Sequence, residues 1–211
     1  MAVSKANRAV TRARTVLIVS QPFYGSLALQ LQLIELETPN IGGMKCETMA
    51  VDGKNMYYWP PFVLSLKEDE LVGVVAHEVS HCSYRHMTRR GNRHPVLWNV
   101  AGDFVINWDL KEAGFTLPFK PSHLVPKDSK EHVHLLDPKY KGMSTEEVYE
   151  RLMQEMTSQK GGGGIGKGTP GEGDPFDIAG CGGVIDAAKP HDKLGADQID
   201  SEWEANVRMA V

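Results

Sequence analysis

From residue 4 to about 19, and again from 24 to 37, apolar positions recur with a helical period, and the two runs are separated at Gln21-Pro22. Proline lacks a backbone donor and clashes with the preceding turn, so the pattern predicts two helices packed as a hairpin. Cys46 to Trp59 has a different rhythm. Two short β-prone runs flank Asp52-Gly53, the dipeptide of a tight hairpin, which predicts a small antiparallel sheet. The strand near Asn55 to Trp59 is expected at its edge, where an extended peptide can pair. Ser65-Leu-Lys-Glu68 then fits a capping box, with Asp69 and Glu70 adding negative charge at the positive end of a helix dipole.

Further along, His94-Pro95 to Ala113 reads as a second helix, with proline in its first turn and Gly114 just past its end. Residues 115 to 142 have little periodicity and read as an extended connection. Ser144-Thr-Glu-Glu147 is another capping box, opening a helix over 144 to 157. Eleven of the 23 residues from Gly161 to Gly183 are glycine, a composition too poor in side chains to order itself and expected to be mobile. Asp200 to Val211 begins another helix and stops inside it, which is expected of a truncated chain. The sum is an α+β protein, mostly helical.

Composition narrows the field. A chain of 211 residues with 41% apolar residues can bury one substantial core. A net charge of -4 spread over mixed signs carries no nucleic-acid footprint, and no nucleic-acid partner is expected. Cys46, Cys82 and Cys181 are odd in number and form no CxxC pair, so a reducing compartment, the cytoplasm, is the expectation. The acid-free, basic stretch before Glu35 superficially resembles a transit peptide, but its apolar pattern runs on into Leu27, Leu31 and Ile34 as folded helices do. Val16 to Leu36 is interrupted by Gln21, Pro22, Gln30, Gln32 and Glu35, and no membrane span is expected.

Chemistry concentrates in His77-Glu-Val-Ser-His81. Four residues correspond to about 40° around a helix, so both imidazoles project from one face within reach of one cation. Glu78 lies about 100° from His77, placed to take a proton from the attacking water and not to ligate. Leu71, Val72, Val74, Val75, Ala76 and Val79 surround these groups with apolar side chains, so they need partners that a metal and water can supply. The plainer alternative is a core helix whose histidines bond to neighbouring backbone.

The third ligand is less direct. His86 follows His77 by nine residues, about 180° round a continuous helix, which places it on the surface or behind the ligands. Asn99, Asp103 and Asn107 instead recur every four residues on an otherwise apolar helix. Packed across the histidine face, Asp103 supplies a carboxylate as third ligand for one zinc ion and the asparagines orient the set; otherwise the stripe is an exposed polar face. His94, His123, His132, His134 and His191 read as surface residues. Gly161 to Gly168 nearly spells a P-loop, but Gly168 stands where a magnesium-holding hydroxyl belongs and no buried strand precedes it.

Two blocks together carry a family likeness: Leu71-Val-Gly-Val-Val-Ala-His-Glu-Val-Ser-His81, with His86 and Arg89-Arg90 after it, and Trp98-Asn-Val-Ala-Gly-Asp-Phe-Val-Ile-Asn107. They resemble the metallopeptidase domain found ahead of a von Willebrand factor A-like domain in many bacterial and phage proteins. The resemblance is firm over about 60 to 118, looser over 4 to 157, and returns at Glu202-Trp203-Glu204. It implies a zincin-like fold, a zinc ion, peptide or protein substrates, and Asp103 in the place where gluzincins put a glutamate. The domain would occupy 1 to 157, a glycine-rich segment 158 to 199, and the start of a further helix 200 to 211, with any von Willebrand-like domain outside this chain. The expected activity is zinc-dependent peptide hydrolysis with Glu78 as general base; a zinc-stabilised protein-binding module without turnover is the rival.

Overall fold

The computed structural model describes residues 3–118, 135–159, 183–185 and 193–211. Helices α1 (Lys5–Ser20) and α2 (Pro22–Ala28) lead into strand β1 (Gln32–Glu35), the short pair β2 (Asn40–Ile41) and β3 (Met44–Lys45), and strands β4 (Met49–Val51) and β5 (Asn55–Tyr58). Helices α3 (Pro60–Ser65), α4 (Glu68–Ser83), α5 (His86–Arg89) and α6 (Pro95–Glu112) follow. After a 3-10 turn at Pro138–Tyr140 come α7 (Thr145–Gln159), β6 (Gly183–Val184) and α8 (Lys193–Ala210). The chain is mostly helical with small sheets. Among the described residues no helix is long and apolar enough to cross a membrane.

The expected break at Gln21-Pro22 is present, with Ser4 capping α1 by accepting from the Asn7 backbone N–H. Ala6, Val10, Ala13 and Leu17 form the buried stripe of α1, at alternating spacings of four and three. The second helix ends earlier than the apolar count suggests. Leu29, Leu31 and Leu33 alternate with Gln30 and Gln32, a period of two, and residues 32–35 pair in parallel with β5 instead of continuing α2. This corrects the expected helix over 24 to 37.

The Asp52-Gly53 hairpin forms as expected, with β4 antiparallel to β5 and Gly53 at φ 90°. Asp52 Oδ1 accepts from the backbone N–H groups of Lys54 and Asn55, which closes the turn. The sheet is mixed, however, in the order β1-β5-β4-β6, with β1 and β6 each parallel to its neighbour. β5 is therefore an inner strand paired on both sides, not the edge expected for peptide pairing.

α4 is apolar almost all round because it is covered almost all round, by α1 and α2, by β4, and by α6. It begins later than Ser65: Lys67 is its N-cap, and Glu70 accepts from the Lys67 backbone N–H at 2.8 Å. Gly73 lets the chain cross α4, since a Cβ there would lie 2.0 Å from the Thr116 carbonyl oxygen. Gly73→Ala should therefore destabilise the fold by about 1–3 kcal/mol through overpacking, read as a lower denaturant midpoint. An unchanged midpoint would mean that this crossing is not tight in solution.

α6 matches its expected span and lies between two apolar clusters. Ile106 and Leu110 join the main core, while Leu97, Trp98, Ala101 and Val105 pack with Tyr140, Val148 and Tyr149. The capping box of α7 forms as expected, Ser144 Oγ accepting from the Glu147 N–H while Glu147 accepts from the Ser144 N–H. α8 starts seven residues before Asp200, and its Ile199 and Trp203 are buried in the main core. Trp203 Nε1 donates to the Gly53 carbonyl at 2.8 Å, fastening α8 to the hairpin turn. The glycine-rich run from 161 to 182 and the P-loop-like string lie outside the described residues.

Candidate metal centre

α4 and α6 face each other with their few polar groups. His77, His81 and Asp103 bring one nitrogen or oxygen each to a common point, all within 4.8 Å of one another. Asp103 Oδ1 is 3.2 Å from His77 Nε2 and 3.0 Å from His81 Nε2, and the two Nε2 atoms are 3.0 Å apart. His81 and Asp103 are almost fully enclosed, whereas the His77 side chain is 11% exposed and marks the side nearest solvent. The Asn99-Asp103-Asn107 stripe is thus no exposed polar face: Asp103 and Asn107 are both buried. Gly102, next to Asp103, leaves room for the neighbouring histidine rings. A Cβ on Gly102 would sit 2.7 Å from the His86 ring and 3.5 Å from His81 Cε1.

The chemistry of this set is unusual for a core. Both Asp103 oxygens are buried and neither takes part in a hydrogen bond of acceptable geometry, although two ring nitrogens stand about a contact distance away. Buried carboxylates are otherwise bonded, and lone pairs turned on one another repel. A divalent cation at the shared point removes the conflict. Zinc bonds of about 2.0–2.1 Å at tetrahedral angles set neighbouring ligand atoms about 3.3 Å apart, close to the observed spacings. The residues present fit a metal ion.

Each histidine is held from behind. His77 Nδ1 lies 3.0 Å from Asn107 Oδ1, an acceptor, so this nitrogen carries the proton and Nε2 offers its lone pair inward. His81 Nδ1 lies 2.9 Å from Nδ1 of His86, whose Nε2 lies 2.9 Å from Thr145 Oγ1. His86 is buried against His81 and is therefore not the surface residue that was one of its two expectations. The helix does not continue past His81 as the 180° argument assumed. α4 ends at Ser83, Arg85 takes a left-handed conformation at φ 56°, and the chain folds His86 back. Thr145 was invisible as a site residue, because in the sequence it reads as part of an ordinary capping box. The only sequence hint was a small hydroxyl residue at the start of the helix that packs on α6.

Glu78 is fully buried on the neighbouring face of α4. Its charge is felt both at His77 and at Cys82, and Cys82 in turn is close to Gly53 and Asp52 of the hairpin turn. As the residue after His77 on α4, Glu78 lies about 100° round the helix from it, off the face shared by His77 and His81. Tyr57, Tyr58 and Tyr84, candidates for stabilising a developing charge, are engaged elsewhere. Their hydroxyls bond to Asp52, to Asn7 and Glu35, and to Asp109 respectively. His94 lies at the start of α6, its backbone N–H donating to Tyr149 Oη. His123, His132, His134 and His191 lie outside the described residues.

Electrostatics divide the histidines. Burial pulls the His77 pKa down, but the close Asp103 carboxylate, aided by Glu78 and Asn107, outweighs burial and holds it above 6.5. Burial dominates at His81, pushing it below 6.5 against the pull of Asp103, and drives His86 well below, helped by the nearby His81 and Arg89. Asp103, despite burial that would raise it, is held at about 2 by His77 and His81. The signs give a bounded window for the metal-free protein. The contributions of His81 and His86 are present above pH 6.5 and lost as pH falls below it, whereas that of His77 is present below 6.5 and lost as pH rises through its elevated pKa. Unfolding of chelator-treated protein should show stability declining on both sides of that window. Metal binding must displace the His77 proton, so zinc affinity should weaken as pH is lowered, and a pH-independent affinity would contradict the assignment.

No curated protein and no solved structure matches the chain. One protein family does, over residues 5–211, and it carries the description "Putative metallopeptidase domain". That match spans α4, α6, the hairpin and α8. By this coverage the chain belongs to the family so described, in keeping with the buried His77-His81-Asp103 cluster that its fold assembles.

Proposed function

We propose that this protein is a zinc-dependent peptidase of zincin-like architecture, in which His77, His81 and Asp103 hold one zinc ion and Glu78 is the general base. The observation that carries this reading is the buried Asp103 carboxylate, facing two imidazole nitrogens with no hydrogen bond to either oxygen. Zinc, when bound, supplies a Lewis acid that polarises a scissile carbonyl and eases deprotonation of water. The protein's own groups do the rest. Asn107 holds the His77 ring with its Nε2 lone pair inward. The Glu78 carboxylate accepts a proton as water oxygen bonds to the carbonyl carbon, then delivers it to the amide nitrogen as the C–N bond breaks. Both products leave with protons and charges balanced.

A second reading, a zinc-stabilised protein-binding module without turnover, is favoured by the depth of the site, where only His77 shows measurable exposure. Both readings share a consequence. Zinc at 100 times its Kd adds about 2.7 kcal/mol of stability, so chelation should lower Tm by roughly 5–10 °C in a chain of this size. Incubating the zinc-loaded protein with a broad peptide library separates them. Cleavage that stops on chelation and returns with zinc is the expected result; a chelator-sensitive Tm with no hydrolysis of any peptide would leave the module.

A further inference from the structure

A buried ring nitrogen without a partner forfeits a hydrogen bond, so the nitrogens that face away from the cluster need acceptors or donors of their own. His77 uses the amide oxygen of Asn107. His81 uses another imidazole, Nδ1 of the buried His86. Two neutral imidazoles in that arrangement share one proton, and what lies beyond them decides which ring donates. His81 Nε2 points into the cluster, 3.0 Å from Asp103 Oδ1, and as a ligand it carries no proton. Its proton is then on Nδ1. His86 Nδ1 must accept, leaving the His86 proton on Nε2, where Thr145 Oγ1 stands 2.9 Å away to receive it.

Several independent features fix the His86 ring in this pose. The left-handed backbone at Arg85 turns it inward, and Trp98 Nε1 donates to its carbonyl at 2.9 Å. The Tyr84 ring stacks on one face with an interplanar angle of 15°, and Gly102 leaves the space that a Cβ would take from the other atoms of the ring. Thr145 is fixed as well. It is buried at the start of α7, and the next residue, Glu146, accepts from Arg89 through both carboxylate oxygens at 2.6 and 2.7 Å.

We infer that His86 and Thr145 form a positioning relay behind the metal site. Thr145 accepts from His86 Nε2–H, His86 accepts from His81 Nδ1–H, and the His81 Nε2 lone pair is thereby aimed at the cation and made more basic toward it. The inference rests on the metal-site reading above. Neither residue touches substrate, and both act through His81. The relay also makes α7 and the turn after α4 part of the metal site, although neither carries a ligand.

The test uses the full chain and two readouts. Zinc affinity, measured by competition with a chromophoric chelator, should weaken about 10–100-fold in His86→Leu, the range for loss of an outer partner. His86→Asn places an amide oxygen near the lost Nδ1 and should recover most of that loss; Thr145→Val should weaken binding and Thr145→Ser restore it. Long-range proton–nitrogen correlation spectra of the zinc-loaded wild type should show His81 protonated on Nδ1 and His86 on Nε2. A His86 proton on Nδ1 would overturn the relay, and so would equal weakening in the Leu and Asn variants or full affinity in both. Should His86→Leu fail to fold, the Asn variant and the wild-type spectrum decide. If the wild type binds no zinc, the metal-site reading fails and takes the relay with it; if it binds zinc and the variants match it, only the relay fails.

Discussion

Glu78→Gln should bind about one equivalent of zinc and hydrolyse peptides about 100- to 10,000-fold more slowly than the wild type, the span that a positioned general base supplies. Glutamine keeps the size of the buried side chain and loses only the ability to take a proton, so fold and metal should survive. The loss should fall on kcat and kcat/KM alike, because the proton transfer belongs to the transition state and not to substrate binding. Retained turnover would remove Glu78 as the base. Loss of zinc together with turnover would instead make Glu78 part of the ligand set, against its place about 100° round α4 from His77.

Asp103→Ala should weaken zinc binding by more than about 100-fold, beyond the upper range for losing a partner outside the ligand set. The carboxylate is the only charged donor of the three, and its oxygens are committed to nothing else among the described residues. The metal-free variant should also titrate differently. Without Asp103 the strongest influence raising the His77 pKa disappears while burial and the weaker raising influences of Glu78 and Asn107 remain, so the ring should lose its proton at lower pH than in the wild type. Histidine titration by NMR reads that change, and an unchanged His77 pKa would show that Asp103 does not support it.

The meeting of His77, His81 and Asp103 was legible in the sequence because it obeys helix arithmetic. A four-residue spacing put His77 and His81 on one face, and the same spacing marked Asn99, Asp103 and Asn107 as a polar stripe that needed polar company. The helix pair, the Asp52-Gly53 hairpin and the α7 cap were readable for the same reason, since each depends on residues close in sequence. What escaped was set by distant parts of the chain. Residues 32–35 joined a sheet because β5 offered them an edge, and β5 became an inner strand because β1 closed on the side that β4 leaves free. His86 was placed by a single left-handed residue, Arg85, that breaks a helix with no glycine to announce it. Thr145 lies 59 residues from its partner, a contact no local pattern records.

One divalent ion should sit where α4 and α6 converge, between His77, His81 and Asp103. Crystals soaked in zinc and measured on either side of its absorption edge locate such an ion directly. One anomalous peak should appear about 2.0–2.2 Å from His77 Nε2, His81 Nε2 and an Asp103 carboxylate oxygen, the distances zinc takes to these donors. No peak there, or a peak bound to other residues with this trio left aside, would contradict it.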